Sequence, residues 1–236
     1  MRWTIGLVLG AMLAGGCAQP QPPANVYRVN FVSHAVVNID GKLDEPAWRR
    51  ATPLRDFSDP WLGGGTPTQF QAFMDEQNFY FAFTAGDSTP AFVAQWAGKG
   101  TLNDEDRVEL YFALDDKLDK YYCTEIDSRG RVHDFTGSYP RKWDDRWSMP
   151  GLVVAGLPSP QGYVVEGKIP LESLRELGLP ALRGQQTWRV GLFRADLPAK
   201  DDGPVHWITW INPHTPRADF HTPAAFGLFQ AGNLPK

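Results

Sequence analysis

The chain has 236 residues, a formal net charge of −4 and only two cysteines. That slight acidic excess argues against a nucleic-acid partner, which requires a basic face. Aromatic residues make up 13% of the chain, nine of them tryptophan, and 20 prolines and 23 glycines cut it into short pieces, a pattern of many strands rather than long helices.

Met1 and Arg2 give a positive start, and residues 3–16 ("WTIGLVLGAMLAGG") form an apolar stretch too short for a comfortable membrane span. Cys17 follows at once, so residues 1–17 read as an export signal. "LAGGC" resembles a bacterial lipoprotein signal, with Leu13 one place further from the cysteine than usual. The resemblance implies that Cys17 carries lipid and tethers the protein in the cell envelope, at the outer membrane or the cell surface. Residues 18–27 read as an extended proline-rich tether, and 28–236 as one domain. With Cys17 lipidated, Cys123 has no disulfide partner. It lies in the alternating "KYYCTEID", so it reads as a small buried hydrophobe rather than a nucleophile.

The periodicity from there on is mostly two. "VYRVNFV" alternates, and "IDGKLDEPAW" combines an Asp40-Gly41 turn with a short helix in which Asp44 caps, Pro46 sits in the first turn, and Ala47 and Trp48 face inward. "TQFQAFM" and "FYFAFTAGD" form a hairpin around "DEQN". "RVELYFAL" sets Val108, Leu110 and Phe112 on one face against Arg107, Glu109 and Tyr111 on the other. "KYYCTEID" and "RVHDF" make a second hairpin, and "LVVAG" pairs with "GYVVEGKI" across "LPSPQ". "PLESLRELG" is a short helix with Pro170 in its first turn, Leu171, Leu174 and Leu177 on one face, and Gly178 as its stop. "WRVGLFRAD", "HWITWI" and "FGLF" supply the late strands. Trp188 alternates with Val190 and Leu192 and reads as core, while Trp207 and Trp210, three apart, face opposite sides. The expectation is an all-β fold, an antiparallel β-sandwich of about ten strands with one or two short helices.

Six pieces, in order, are similar to the family 9 carbohydrate-binding modules, which are DOMON-like β-sandwiches: "IDGKLDEPAW", "FQAFMDEQNFYFAFTAGDS", "NDEDRVELYFALDD", "YVVEGKIPLESL", "WRVGLFRAD…ITWINP" and "HTPAAFGLF". The resemblance implies a sandwich that grips a glycan end between two tryptophans, because the C–H side of a sugar ring is apolar and suits an aromatic face. The first clamp position falls near Asn103, with no aromatic there and Trp96 seven residues earlier, and the second falls on Phe220. Glu109 matches a ligand-contacting position, with Arg107 beside it. Asp104 and Asp106, flanking Glu105, offer oxygen ligands for a structural calcium of the kind that members of the family carry.

The stretch "SYPRKWDDRWSMPG" places Tyr139, Trp143 and Trp147 as a further candidate binding surface. His133, His206, His214 and His221 are scattered without zinc-ligand spacing, and no motif supports Met149 and His206 as haem ligands. The expected protein is a monomeric, non-catalytic carbohydrate-binding protein of the cell envelope that takes an oligo- or polysaccharide, supports polysaccharide catabolism and requires no cofactor beyond the candidate calcium. The alternatives are a xylanase-type glycoside hydrolase and an envelope interaction scaffold. Hydrolysis needs two carboxylates at a set separation. No pair stands out in the sequence, and a catalytic barrel alone takes about 250 residues.

Overall fold

The computed structural model describes residues 25–198 and 203–232. Cys17, the export signal and most of the tether lie outside the described residues. Twelve strands run in chain order: β1 (Val26–Phe31), β2 (Thr68–Met74), β3 (Asn78–Gly86), β4 (Arg107–Ala113), β5 (Tyr121–Asp127), β6 (Val132–Ser138), β7 (Lys142–Asp144), β8 (Val153–Ser159), β9 (Gly162–Pro170), β10 (Thr187–Asp196), β11 (His206–Thr209) and β12 (Gly227–Ala231). Helix α1 (Leu171–Glu176) follows β9 directly, and short 3-10 turns occupy Pro46–Arg50, Lys99–Asp104 and Pro223–Ala225.

The strands form one curled sheet in the order β7-β6-β5-β4-β10-β12-β1-β2-β3-β9-β8, with β11 paired to β10. Strand β1 joins the two halves: Val26–Val29 pair in parallel with β12, and Asn30 and Phe31 pair in parallel with β2. The expected ten antiparallel strands are therefore corrected to twelve in a mixed sheet. The two parallel ladders on β1 arise because its partners are separated from it by long stretches of chain, which parallel pairing requires.

The two halves share one core. Phe70, Phe81, Phe83 and Val165 from β2, β3 and β9 pack in the same cluster as Val108, Leu110, Phe112, Val190 and Leu192 from β4 and β10. Trp188 and Trp210 lie in this core, whereas Trp207 joins a second cluster on the other side of the sheet, as the three-residue spacing requires. Burial on both faces explains why β4 and β5 read as alternating yet are buried along their whole length.

The outer face of the β2-β3-β9 half is closed by the chain's own segment 32–51. Trp48, 4% exposed, packs edge-on against Phe73 at 4.9 Å. Its indole Nε1 donates to Glu166 at 3.0 Å, and the backbone N–H groups of Asp40 and Gly41 donate to the same carboxylate at 2.9 and 2.8 Å. Gly41 has φ +84° and a Cβ there would stand 2.7 Å from the Leu157 Cβ, so this close turn admits only glycine. "IDGKLDEPAW" is thus a strap buckled to Glu166 of "VEGKIP". Its helix begins at Pro46, with Glu45 rather than Asp44 at the cap position and no side-chain cap bond.

Two other boundaries differ from expectation. Strand β8 runs on through Pro158 to Ser159, past the expected loop; it is the edge strand, where a missing N–H is tolerated. Pro170 is the residue before α1 rather than its first, and Gly178 follows with φ +101°.

A polar pocket on the open face of the sheet

The outer face of the other half carries the candidate site. Strand register brings its side chains together in cross-strand rows. Phe193, Glu109, Glu125 and His133 lie opposite one another across β10, β4, β5 and β6, and Gly191, Tyr111, Cys123 and Phe135 form the next row. Two glutamates directly opposite each other repel, and the neighbouring rows offset this. Arg107 Nε lies 3.0 Å from Glu109 Oε1 and 3.3 Å from Glu125 Oε2. The Tyr111 hydroxyl lies 2.7 Å from Glu109 Oε2 and 2.9 Å from Glu125 Oε1. His133 Nδ1 approaches Glu125 Oε2 to 3.1 Å, and His133 Nε2 stands 3.3 Å from Asp145 Oδ1.

These groups floor a cavity of about 380 Å³, within the range of about 300–1,000 Å³ usual for small-molecule sites. Trp143, 48% exposed, stands at its rim and meets His221 edge-on at 5.4 Å. Trp207 meets Phe220 edge-on at 5.5 Å, and Asn103, Arg141 and Asp219 complete the lining. Arg141 Nη2 is paired with Asp219 at 2.8 Å, which ties the segment before β7 to the segment before β12.

Burial, and then the charge of Glu125, pushes the Glu109 carboxyl up to about 7. Burial also opposes charge on Glu125, but His133 and Arg107 outweigh it and hold that carboxyl below its usual range. Burial pulls against a charged His133, and Glu125 with Asp145 overcomes it, so this imidazole is raised. His221 is driven the other way, to about 4, by burial, and is a neutral ring whose Nδ1 lies 3.1 Å from the Tyr121 hydroxyl. Glu125 Oε2 and His133 Nδ1 are buried and face each other at 3.1 Å, so they close on one another. The floor therefore sets acceptors and donors side by side beneath aromatic walls.

Of the residues singled out in the sequence, Arg107, Glu109, Asn103, Trp143 and Phe220 come together here. Glu109 is 1% exposed on the cavity floor. Phe220 is only 5% exposed and stacks on Phe193 at 4.3 Å, so one of its faces is already covered. Two residues fall elsewhere. Trp147 packs on Tyr122 at 5.1 Å against the main core, and Tyr139 is half exposed and outside the pocket lining. The sequence did not single out Glu125, Tyr111, His133, His221, Trp207 or Asp145 for this role. The "KYYCTEID"–"RVHDF" hairpin held the signal for two of them, because its register sets Glu125 beside His133. Cys123 is fully buried in the same aromatic cluster. Met149 lies in the main core, and His206 Nδ1 is paired with Asp59 at 2.9 Å.

Asp106 does not join Asp104. It meets Asp87 and Asp196, whose oxygens lie within 4.8 Å of one another, while Asp104 stays exposed. Arg194 points its guanidinium into that trio, 3.3 Å from both Asp87 and Asp196. The two Asp106 oxygens accept the backbone N–H groups of Leu197 and Ala91, at 2.5 and 2.6 Å. Burial raises Asp106 to about 7. A cluster already holding its own cation and backbone donors fits a divalent ion poorly.

With this geometry in view, the family described as carbohydrate family 9 binding domain-like matches residues 39–231. The chain belongs to that family. The match begins inside the strap and ends with β12, so it spans both faces of the sheet. No curated protein sequence matches the chain. Among solved structures, a candidate carbohydrate-binding protein from Bacteroides uniformis is similar at 15% identity, with a TM-score of 0.66 over 88% of this chain and 99% of that one. A family 9 carbohydrate-binding module from Caldicellulosiruptor kristjanssonii, in complex with glucose, is similar at 14% identity and a TM-score of 0.59, covering 87% of this chain and 96% of that one. The same organism's module in complex with cellotriose is similar at 14% identity and 0.59, covering 88% and 95%. At these identities the likeness establishes the fold.

Proposed function

We propose that this family 9 chain is a non-catalytic carbohydrate-binding protein that holds a sugar in the pocket on the open face of the β4-β5-β6-β10 half. The observation that carries this reading is the pairing of an exposed ring, Trp143, with a floor of Arg107, Glu109, Tyr111, Glu125 and His133. Sugar hydroxyls both donate and accept, so adjoining carboxylates and cationic donors suit them, while the ring takes the apolar C–H side. The core shared by the two halves supports reading the curl as a two-layer sandwich. The glucose and cellotriose complexes of similar modules make these the first probes to use. A glycan array followed by titration calorimetry tests the reading, with Trp143→Ala and Phe220→Ala as controls. Binding that both variants weaken supports it, and no binding to any glycan favours an interaction scaffold.

One observation keeps hydrolysis as a second reading. Glu109 and Glu125 share the Tyr111 hydroxyl and are shifted in opposite directions, as an acid and a base would be. Both, however, are pinned by Arg107 and lie low in the floor. Release of reducing sugar from xylan, abolished by Glu109→Gln, is the result that would establish this alternative.

The Arg194-centred trio needs no calcium on this reading, and chelation is expected to leave the melting temperature unchanged. The protein acts as an envelope lipoprotein attached through Cys17, as a monomer that supports polysaccharide breakdown, a placement supported by "LAGGC" and the tether. Incorporation of a labelled fatty acid, absent from Cys17→Ala, tests the anchor.

A further inference from the structure

Lys99 heads the 3-10 turn Lys99–Asp104, and its ammonium is held in a cage of oxygens. Asp134 Oδ1 lies 2.6 Å from Nζ and the Asp134 carbonyl 2.7 Å. The carbonyls of Asp145 and Trp147 lie at 3.0 and 2.6 Å, and Ser148 Oγ at 3.2 Å. An ammonium has three protons to donate, so five oxygens are more than it can satisfy one by one. Carbonyls, a carboxylate and a hydroxyl gathered around a point charge are the donor set that a hard cation collects. Here the chain supplies the cation itself. The second Asp134 oxygen accepts the Met149 N–H at 2.7 Å, which fastens the far end of the same turn.

Residues 145–148 leave β7 directly behind the pocket. Trp143 of β7 stands at the rim, and the side chain of Asp145 reaches to 3.3 Å from His133 Nε2. Asn103, on the turn that Lys99 heads, also lines the cavity. One partly exposed charge thus ties two separate stretches of wall to β6, where Asp134 sits.

We propose that Lys99 is a positioning residue for the sugar pocket: an internal cation whose ammonium gathers the 145–148 turn and so holds Trp143 and Asp145 at the cavity wall. The part concerning sugar rests on the function proposed above. The cage itself does not.

Lys99→Ala deletes the Cγ, Cδ, Cε and Nζ atoms, which propylammonium replaces. In the full-length protein, two readouts follow the wall: the NMR titration of His133, which senses Asp145 without any ligand, and the affinity for cellotriose. In Lys99→Ala, His133 is expected to titrate at lower pH than in the wild type, because a released Asp145 no longer favours its charged form. Affinity is expected to fall about tenfold, as loss of charge-assisted hydrogen bonds implies. Propylammonium chloride should restore both, and sodium chloride at equal ionic strength should not. Lys99→Met fills the slot without charge; it should be impaired and resist rescue, and it decides the matter if the alanine variant does not fold. An unchanged His133 titration in both variants, or an impaired Lys99→Ala that propylammonium does not relieve, overturns the proposal. A wild type that binds no glycan on the array, with the His133 effects intact, overturns the sugar reading and leaves the cage standing.

Discussion

The two outer faces of the curled sheet each carry buried glutamate beneath aromatic rings, and they handle it in opposite ways. On the closed face, Glu166 accepts three N–H groups from residues 40–48, and Trp48 covers it. On the open face, Glu109 and Glu125 are bonded to side chains alone, Arg107, Tyr111 and His133, around a cavity. A buried carboxylate must find donors in either case. Two backbone donors and an indole from one strap make a structural clasp. Side-chain donors around a hollow can be shared with an incoming hydroxyl. The same ingredients therefore build a fastening on one side and a binding site on the other.

The largest effect is expected where the clasp is broken. Trp48→Ala should destabilise the fold by about 3–5 kcal/mol, the cost of emptying a large aromatic site, and should leave the affinity of the folded fraction for sugar unchanged. Denaturant titration and calorimetry read the two quantities separately. A loss of affinity at constant stability would abolish the distinction between the faces. Phe220→Ala sharpens the comparison, because this residue belongs to both roles. Its burial and its stacking on Phe193 imply a loss of about 3 kcal/mol, together with weaker binding by the same assays. Trp143→Ala should do the reverse of Trp48→Ala: affinity lower by about tenfold, with stability within about 0.5 kcal/mol of wild type, since its ring is half exposed.

The smallest effect is in pH dependence. The Glu109 carboxyl is raised in the folded state, so the folded state holds its proton more tightly than the unfolded chain does. Its contribution to stability is present below the ordinary carboxylate range and is lost as pH rises through about 7. Asp106 titrates in the same window for the same reason. Glu109→Gln should therefore flatten the decline between mildly acidic and neutral pH without removing it, as read by melting temperature across that range.

Much of the closed face was legible in the sequence. "IDGKLDEPAW" announced a turn and an inward tryptophan, because local signals such as Gly41 and Pro46 depend on few distant partners. What it could not announce was Glu166, which lies 118 residues from Trp48 and meets it only through the fold. On the open face, alternation in β4 set Arg107 and Glu109 on one side of the strand, and the family resemblance marked Glu109 as a ligand contact. Glu125, His133 and Trp207 were not, because their place depends on how three further strands are registered against β4 and β10. Trp147 and Trp143 looked equivalent four residues apart. They separate because β7 ends at Asp144, after which the chain turns behind the sheet and buries Trp147 on Tyr122. Asp104 and Asp106 part company for a similar reason, one at the exposed end of a 3-10 turn and one beneath Arg194.

The most direct measurement follows the tryptophan indole N–H signals by NMR while cellotriose is added. The Trp143 and Trp207 signals are expected to move together and saturate with a single affinity, while those of Trp48 and Trp188 stay fixed. Movement at Trp48 with Trp143 silent would place the sugar on the strapped face and contradict the open-face site.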